Sequence, residues 1–157
     1  MKKIILILII LLSLSLTSCT LIKKEFTCDD LTITLDSSFY ETEQIGINMA
    51  LLSQKYVVAI TKNVNASYMS LEQFINEISK SFAVSLKFNK SVSDEGMEYY
   101  YATYNNKGGN DIEFSYCSAV FKYEGTFYIV DIGCETDRMT EKDSDKFIKW
   151  INSVVFE

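Results

Sequence analysis

The chain of 157 residues contains no histidine and no proline. Histidine is the side chain best suited to proton transfer near neutral pH and the commonest metal ligand, so its absence disfavours many hydrolytic and metal-dependent mechanisms. Without proline, turns must be built from glycine, asparagine, aspartate and serine. The chain also lacks a basic patch, and its net charge is −6. Such a protein repels phosphate backbones, so nucleic-acid binding is not expected.

The start of the chain has the composition of a secretory signal. Lys2 and Lys3 precede an uninterrupted apolar stretch at residues 4–12. This stretch is shorter than the ~20 residues that a helix needs to cross a bilayer core. A short apolar stretch behind positive charges is typical of a signal peptide that is removed.

A four-residue motif, Leu16-Thr17-Ser18-Cys19, follows the apolar stretch. It resembles the lipobox of bacterial lipoproteins, in which an aliphatic residue and two small residues precede an obligatory cysteine. The resemblance implies cleavage after Ser18 and acylation of Cys19 as the new N-terminus. Each buried CH₂ contributes about 0.8 kcal/mol, so two or three acyl chains anchor a protein firmly. An ordinary cleaved signal and a retained N-terminal anchor are the alternatives.

The lipobox interpretation divides the chain into a signal peptide (1–18), a lipidated tether (19–25) and one domain (26–157). We therefore expect the domain on the extracytoplasmic face of a bacterial cell membrane, held there through its N-terminal lipid. Removal of Lys2 and Lys3 with the signal makes the net charge −8. Lys23 and Lys24 in the tether can lie against anionic headgroups.

The domain alternates between strand-like and helix-like patterns. Amphipathic helices are predicted at about 71–83, where Ser70 and Gln73 match a capping box, and at 141–153. Strands joined mostly by hairpins indicate an α+β fold, with an antiparallel β-sheet of six to seven strands and two packing helices. The segments with strand character are 26–28, 31–35, 46–52, 55–61, 84–88, 97–104, 112–123 and 126–134.

The pair of segments at 112–123 and 126–134 flanks Glu124-Gly125, which suits a two-residue hairpin turn. That turn fixes the register, so that Phe121 faces Tyr128 on the better-buried face and Ser118 faces Asp131 on the mixed face.

The order of these elements resembles the PsbP-like fold, seen also in small bacterial lipoproteins. The matching features are the strand at 31–35 followed by Phe39-Tyr40, the capped mid-chain helix, the late hairpin, and a C-terminal helix that closes on residues 153–156. The resemblance covers about residues 26–157. It implies a sandwich fold and, because known members mostly act as binding or assembly modules, a non-enzymatic role.

Three cysteines lie outside the lipid site: Cys28, Cys117 and Cys134. The hairpin register places Cys117 and Cys134 on one face but diagonally. A disulfide between these two, a bridge from Cys28 to either, and buried free thiols are the alternatives. A catalytic thiol is not expected, because the chain has neither a CxxC motif nor a histidine to activate one.

Aromatic residues accumulate on the segment at 97–104. Alternation sends Tyr99 and Tyr101 to one face and Tyr100 and Tyr104 to the other. A pair of tyrosines can form a stacking surface for a sugar or a partner protein, and we single out Tyr99 and Tyr101. The alternative is that each pair belongs to the core or its rim.

The acids at 135–145 lack the spacing of a calcium loop and fit a solvated helix start, so no metal or cofactor is expected. We therefore predict a non-enzymatic binding or assembly module that contacts an envelope protein or a glycan. An enzyme acting on envelope polymers is the alternative, with carboxylates converging from the 94–98 and 135–145 regions. A redox-linked protein is the third hypothesis.

Overall fold

The computed structural model describes residues 22–81, 86–107 and 111–157. The predicted signal peptide, its cleavage at Ser18 and the lipid site at Cys19 therefore lie outside the described residues. The described residues form ten strands and two α-helices, which confirms the α+β class. Within these residues, neither helix combines the length and the apolar character that crossing a membrane requires.

The helices are α1 (Leu71–Ser81) and α2 (Glu141–Asn152), and a 3₁₀ turn (Thr136–Arg138) precedes α2. The strands are β1 (Lys23–Cys28), β2 (Leu31–Asp36), β3 (Tyr40–Thr42), β4 (Met49–Leu52), β5 (Tyr56–Asn63), β6 (Asn89–Val92), β7 (Glu98–Lys107), β8 (Glu113–Tyr123), β9 (Thr126–Glu135) and β10 (Val155–Phe156).

The strands are arranged in two antiparallel sheets. The large sheet has seven strands in the order β3-β4-β5-β9-β8-β7-β6, which confirms the predicted sheet size. The β1–β2 hairpin instead joins β10 in a separate three-stranded sheet, where Thr32 pairs with Val155. Leu31, Ile33 and Leu35 of β2 are fully buried in the core that the two sheets share.

The β8–β9 hairpin has the predicted register, with Phe121 opposite Tyr128 and Ser118 opposite Asp131. Its two turn residues are both left-handed, with φ of 46° at Glu124 and 80° at Gly125. This conformation matches the right-handed twist of the flanking strands and explains why two residues suffice for the turn.

The two faces of the large sheet carry different layers. Its inner face packs on α2 and the three-stranded sheet to form the main core. Its outer face packs on α1, where the Phe74 ring stacks on Phe127 with centroids 4.0 Å apart. The predicted capping box begins α1: the Gln73 amide donates to Ser70 Oγ, and the Ser70 amide donates to Gln73 Oε1.

Three predicted strands differ from the observed ones. The segment at 26–28 extends back to Lys23 in β1, so residues 23–25 of the predicted tether belong to the small sheet. The segment at 46–52 forms a strand only from Met49, because Gly46 adopts a φ of 81° in the preceding turn. Residues 84 and 85 of the segment at 84–88 lie outside the described residues, as do residues 82 and 83 at the predicted end of the first helix. Residues 86–88 are irregular, since Leu86 is buried and Phe88 packs beside α1 before β6 begins. Their apolar alternation reflects burial rather than strand pairing.

Candidate functional site

A cleft of about 420 Å³ opens between the large sheet and α2. One wall is the second half of β7 and the first half of β8, and the other is the start of α2. The lining residues include Tyr101, Thr103, Asn105, Ser115, Cys117, Met139, Ser144, Asp145, Phe147 and Ile148.

Strand pairing places the sheet residues of the cleft side by side. Thr103 lies opposite Cys117 and Asn105 lies opposite Ser115, so the side chains of both strands point to the inner face at the same level. The Ser115 hydroxyl lies 3.0 Å from Thr136 Oγ1, which ties this wall to the turn before α2. The cleft therefore combines an aromatic ring, hydroxyl groups and an amide in one place.

The start of α2 is fixed by a buried carboxylate, Asp143. It accepts hydrogen bonds from the Lys55 ammonium at 2.5 Å, the Tyr56 hydroxyl at 2.5 Å, and the Thr140 hydroxyl at 2.7 Å. Burial alone would raise the pKa of Asp143, but these hydrogen bonds outweigh it and hold the pKa well below its usual range. The prediction of a solvated helix start is therefore wrong for Asp143, although Glu141 and Asp145 are exposed.

The Cys117 thiol lies at the buried base of the cleft. Burial, with a smaller contribution from nearby Asp131, raises the pKa of this thiol to about 12. A thiol of that pKa stays protonated at neutral pH and is a poor nucleophile. The geometry thus gives the cleft a small apolar base and not a reactive one.

The structure holds Cys28, Cys117 and Cys134 as buried free thiols. The disulfide considered between Cys117 and Cys134 is not formed, because β8–β9 pairing places Cys117 opposite Ile132 and Cys134 opposite Ser115. Diagonal neighbours in an antiparallel pair lie about 7–8 Å apart, whereas a disulfide needs Cβ atoms about 4 Å apart.

The structure separates the two tyrosines that were singled out as a binding surface. Tyr99 is fully buried, its ring stacks on Phe121, and its hydroxyl donates to Asn152 Oδ1 at 2.6 Å. It is a core residue, because the end of α2 covers it, and it cannot offer a stacking face. Tyr101 is half-buried and lines the cleft where the start of α2 leaves the sheet open.

The acids of the 94–98 and 135–145 regions do not meet in the cleft. Asp145 is the one carboxylate among the described residues that line it. Glu98 instead pairs with Lys90 at 2.5 Å on the edge strand, and Asp94 lines a different groove. Across the described ranges, no group of three histidine, cysteine or acidic side chains is placed to hold a metal ion.

A polar cluster on the outer face of the large sheet was not singled out from the sequence. The Tyr104 hydroxyl lies 3.5 Å from Asp131 Oδ1. Burial raises the pKa of Asp131, and hydrogen bonds from Ser118 and Tyr104 partly offset this effect. The predicted hairpin register, which already set Ser118 opposite Asp131, was the signal that could have located this cluster.

Comparison with solved structures shows what fold this arrangement belongs to. The solution structure of cyanobacterial PsbP (CyanoP) from Synechocystis sp. PCC 6803 superposes with a TM-score of 0.69 at 14% identity. The match covers 91% of this chain and 99% of that chain. The fold is PsbP-like. No family model matches the sequence, and no curated protein matches it either.

Two further structures share the architecture of the PsbP-like domain. A protein from Bacteroides thetaiotaomicron VPI-5482 matches with a TM-score of 0.56 at 11% identity, over 86% of this chain and 48% of that chain. The Saccharomyces cerevisiae Ran-binding protein Mog1p matches with a TM-score of 0.52 at 6% identity, over 87% of this chain and 96% of that chain. At these identities the similarity establishes the fold alone.

Proposed function

We propose that this protein is a lipid-anchored extracytoplasmic lipoprotein whose PsbP-like domain is a non-enzymatic binding or assembly module of the cell envelope. Its partner is an envelope protein or a glycan, bound at the cleft beside α2. The lipobox at Leu16–Cys19 supports the location, and the cleft supports the binding role.

The composition of the cleft is the observation that carries the binding role. Tyr101 offers an aromatic ring, Ser115 and Asn105 offer hydrogen-bonding groups, and Phe147 and Ile148 supply apolar contact. Pockets that bind sugars or peptides combine apolar and aromatic walls with a few polar groups in this way. An acid–base mechanism on a polymer needs two carboxylates, and Asp145 supplies one among the described lining residues.

The fold comparisons support the same conclusion at a coarser level. Mog1p is a Ran-binding protein, so one structural neighbour is itself a binding protein. We carry over to this chain only the general role of a binding module.

The location is tested by expressing the full chain in bacteria and determining the mass of the membrane-extracted protein. We expect an N-terminus at acylated Cys19 and loss of membrane retention in Cys19→Ala. An intact Met1 N-terminus, or a mature protein without lipid, would contradict the anchoring.

The binding role is tested with a photo-crosslinking amino acid at position 101 in the membrane-bound protein. We expect adducts with an envelope protein or a glycan. The matched control is the same amino acid at position 68, since Tyr68 is exposed outside the cleft. Turnover of an envelope polymer by the purified protein would contradict the non-enzymatic role.

A further inference from the structure

A second groove, of about 400 Å³, lies on another face of α2 and is called the lysine groove here. Helical spacing explains the separation, because the cleft uses residues 144, 145, 147 and 148 of α2, while the groove uses 146, 149 and 150 together with Ser153 just after the helix. The lysine groove is lined by Lys23, Thr34, Leu35, Asp36, Asp94, Lys146, Lys149, Trp150 and Ser153.

The lysine groove is lined by three lysines and two aspartates, a formal charge of +1 in a chain that is acidic as a whole. Lys146 forms a salt bridge with Asp36 at 2.7 Å, and its ammonium lies 4.7 Å from the centroid of the Trp150 ring. Lys23 and Lys149 form no salt bridge within the part of the chain that the structure describes. Asp94 also lines the groove, so these two ammonium groups together leave a net positive charge for an external anion.

Apolar groups accompany these lysines. Ile22 is 75% exposed immediately before Lys23, whereas Trp150 and Leu35 lie at the buried floor of the groove. The Ile22 carbonyl accepts a hydrogen bond from the Ser37 amide at 2.7 Å, so this residue is held at the edge of the small sheet. Lysines beside an exposed aliphatic side chain are typical of protein surfaces at the membrane–water interface.

The anchoring point lies close to this groove along the chain. Lys23 follows Cys19 by four positions along the chain, and this stretch spans at most about 14 Å when fully extended. If Cys19 carries the lipid, as the proposed function holds, Lys23 cannot lie farther than this from the headgroup region. The start of β1, and with it the lysine groove, must therefore face or adjoin the bilayer.

We propose that the lysine groove docks the domain on the membrane surface by binding the phosphate of an anionic phospholipid headgroup. Lys23 and Lys149 contact the phosphate, while Ile22 lies in the interface. This inference rests on the proposed lipid anchor. Docking through this face of α2 leaves the cleft on another face of the helix open to a partner.

The test uses the full chain, acylated in bacteria and confirmed by mass, in vesicles of phosphatidylcholine alone or mixed equally with phosphatidylglycerol. Lysine acetylation is mapped by mass spectrometry in each vesicle. We expect protection of Lys23 and Lys149 in the anionic vesicles alone, lost at high salt because the interaction is electrostatic. Lys80 is the internal control, since it lies on α1 at the opposite face of the large sheet.

Trp150 provides a second readout, because it is the single tryptophan of the chain. We expect its emission to differ between anionic and neutral vesicles. The ratio of docked to undocked protein on anionic vesicles, determined from Trp150 emission, should fall roughly fivefold for each lysine removed in the double variant Lys23→Gln/Lys149→Gln. Lys80→Gln is the matched control and should leave the ratio unchanged. Lys23 and Lys149 are both exposed, so their substitution should not prevent folding. The acetylation experiment uses the wild-type chain and does not depend on any variant.

Three outcomes would overturn the inference. In protein whose lipid is confirmed, equal protection of Lys149 in both vesicles would exclude headgroup docking. An equal fall of the docked-to-undocked ratio in Lys80→Gln would assign the effect to the net charge of the protein and not to the lysine groove. The same Trp150 response to inorganic phosphate with neutral vesicles would assign the groove to a soluble anion. Absence of the lipid itself would instead contradict the anchoring proposal, so the two failures are distinguishable.

Discussion

Asp143 shows how one residue can join two parts of the fold. It caps the start of α2 through Thr140 and also binds Tyr56, the first residue of β5, and Lys55 just before it. Its carboxylate thereby fixes the helix that forms one wall of the cleft. A buried charge is tolerated in such a position only when hydrogen bonds replace its hydration.

Asp143→Asn is expected to lower the free energy of unfolding by about 3 kcal/mol at neutral pH, because Lys55 loses its buried partner. Since folding lowers the pKa of Asp143, the ionised group stabilises the fold above the unfolded pKa of about 4, and this contribution is lost as the pH falls. Urea unfolding at several pH values should therefore show the difference between wild type and variant shrinking below about pH 4. Asp145→Asn, an exposed acid on the same helix, is the control. A difference that is constant with pH would contradict this role.

Gly133 is a residue whose missing side chain makes room for a neighbour. A Cβ built on it would lie 2.5 Å from Tyr116 Cδ1 and 2.9 Å from the Ser115 carbonyl oxygen. Gly133→Ala should therefore reduce stability by about 2 kcal/mol, measured by denaturant unfolding. The double variant Gly133→Ala/Tyr116→Ala should cost less than the sum of the two single variants, because the clash with the ring is removed. Additive costs would show that the ring is not the obstacle.

At the scale of elements, the β8–β9 hairpin is specified almost entirely by local sequence. A two-residue turn and alternating burial fix which residues face each other, and both signals are present within one short segment. Glu124 adopts a left-handed φ of 46°, a conformation for which this type of turn prefers asparagine, aspartate or glycine.

Glu124→Asn is expected to stabilise the protein by about 0.5–1 kcal/mol, since asparagine tolerates the left-handed region better than glutamate does. Thermal unfolding should show a higher midpoint. The same substitution at Glu113, an exposed strand residue with ordinary φ, should give no such gain. A decrease in stability for Glu124→Asn would mean that the Glu124 side chain makes a contribution beyond the turn.

Other elements depend on distant partners. Sequence periodicity predicts β1 and β2 correctly as a hairpin, but it cannot say that the hairpin leaves the large sheet and pairs with β10. The short strands β3, β6 and β10 carry too few residues for a clear period of two. The neighbouring strand determines where they pair, because such a short segment becomes a strand only when it forms hydrogen bonds with the edge of an existing sheet.

At the scale of the whole molecule, burial of the cysteines inside the core gives a test of both folding and anchoring. Cys28, Cys117 and Cys134 are all buried, and burial raises the pKa of each thiol. Thiol reagents attack the thiolate, so the native protein should react slowly.

Titration with a thiol reagent should therefore detect none of these thiols rapidly in the native protein and three after denaturation without reductant. A fourth thiol would indicate an unacylated Cys19. Fewer than three would reveal a disulfide and favour the redox-linked hypothesis. Rapid reaction of the native protein would contradict the burial of these residues.

The sequence by itself determined the class of fold, the capped α1 helix, the β8–β9 register and the PsbP-like resemblance, because each depends on periodicity or turn chemistry within a short stretch. Only the tertiary structure decided which tyrosine is core and which lines the cleft, and that Asp143 is buried. It alone brings Lys23 beside Lys149. These outcomes depend on how α2 crosses the sheet, and that packing arises from contacts between residues far apart in the chain, such as Tyr99 with Asn152 and Thr34 with Ser153.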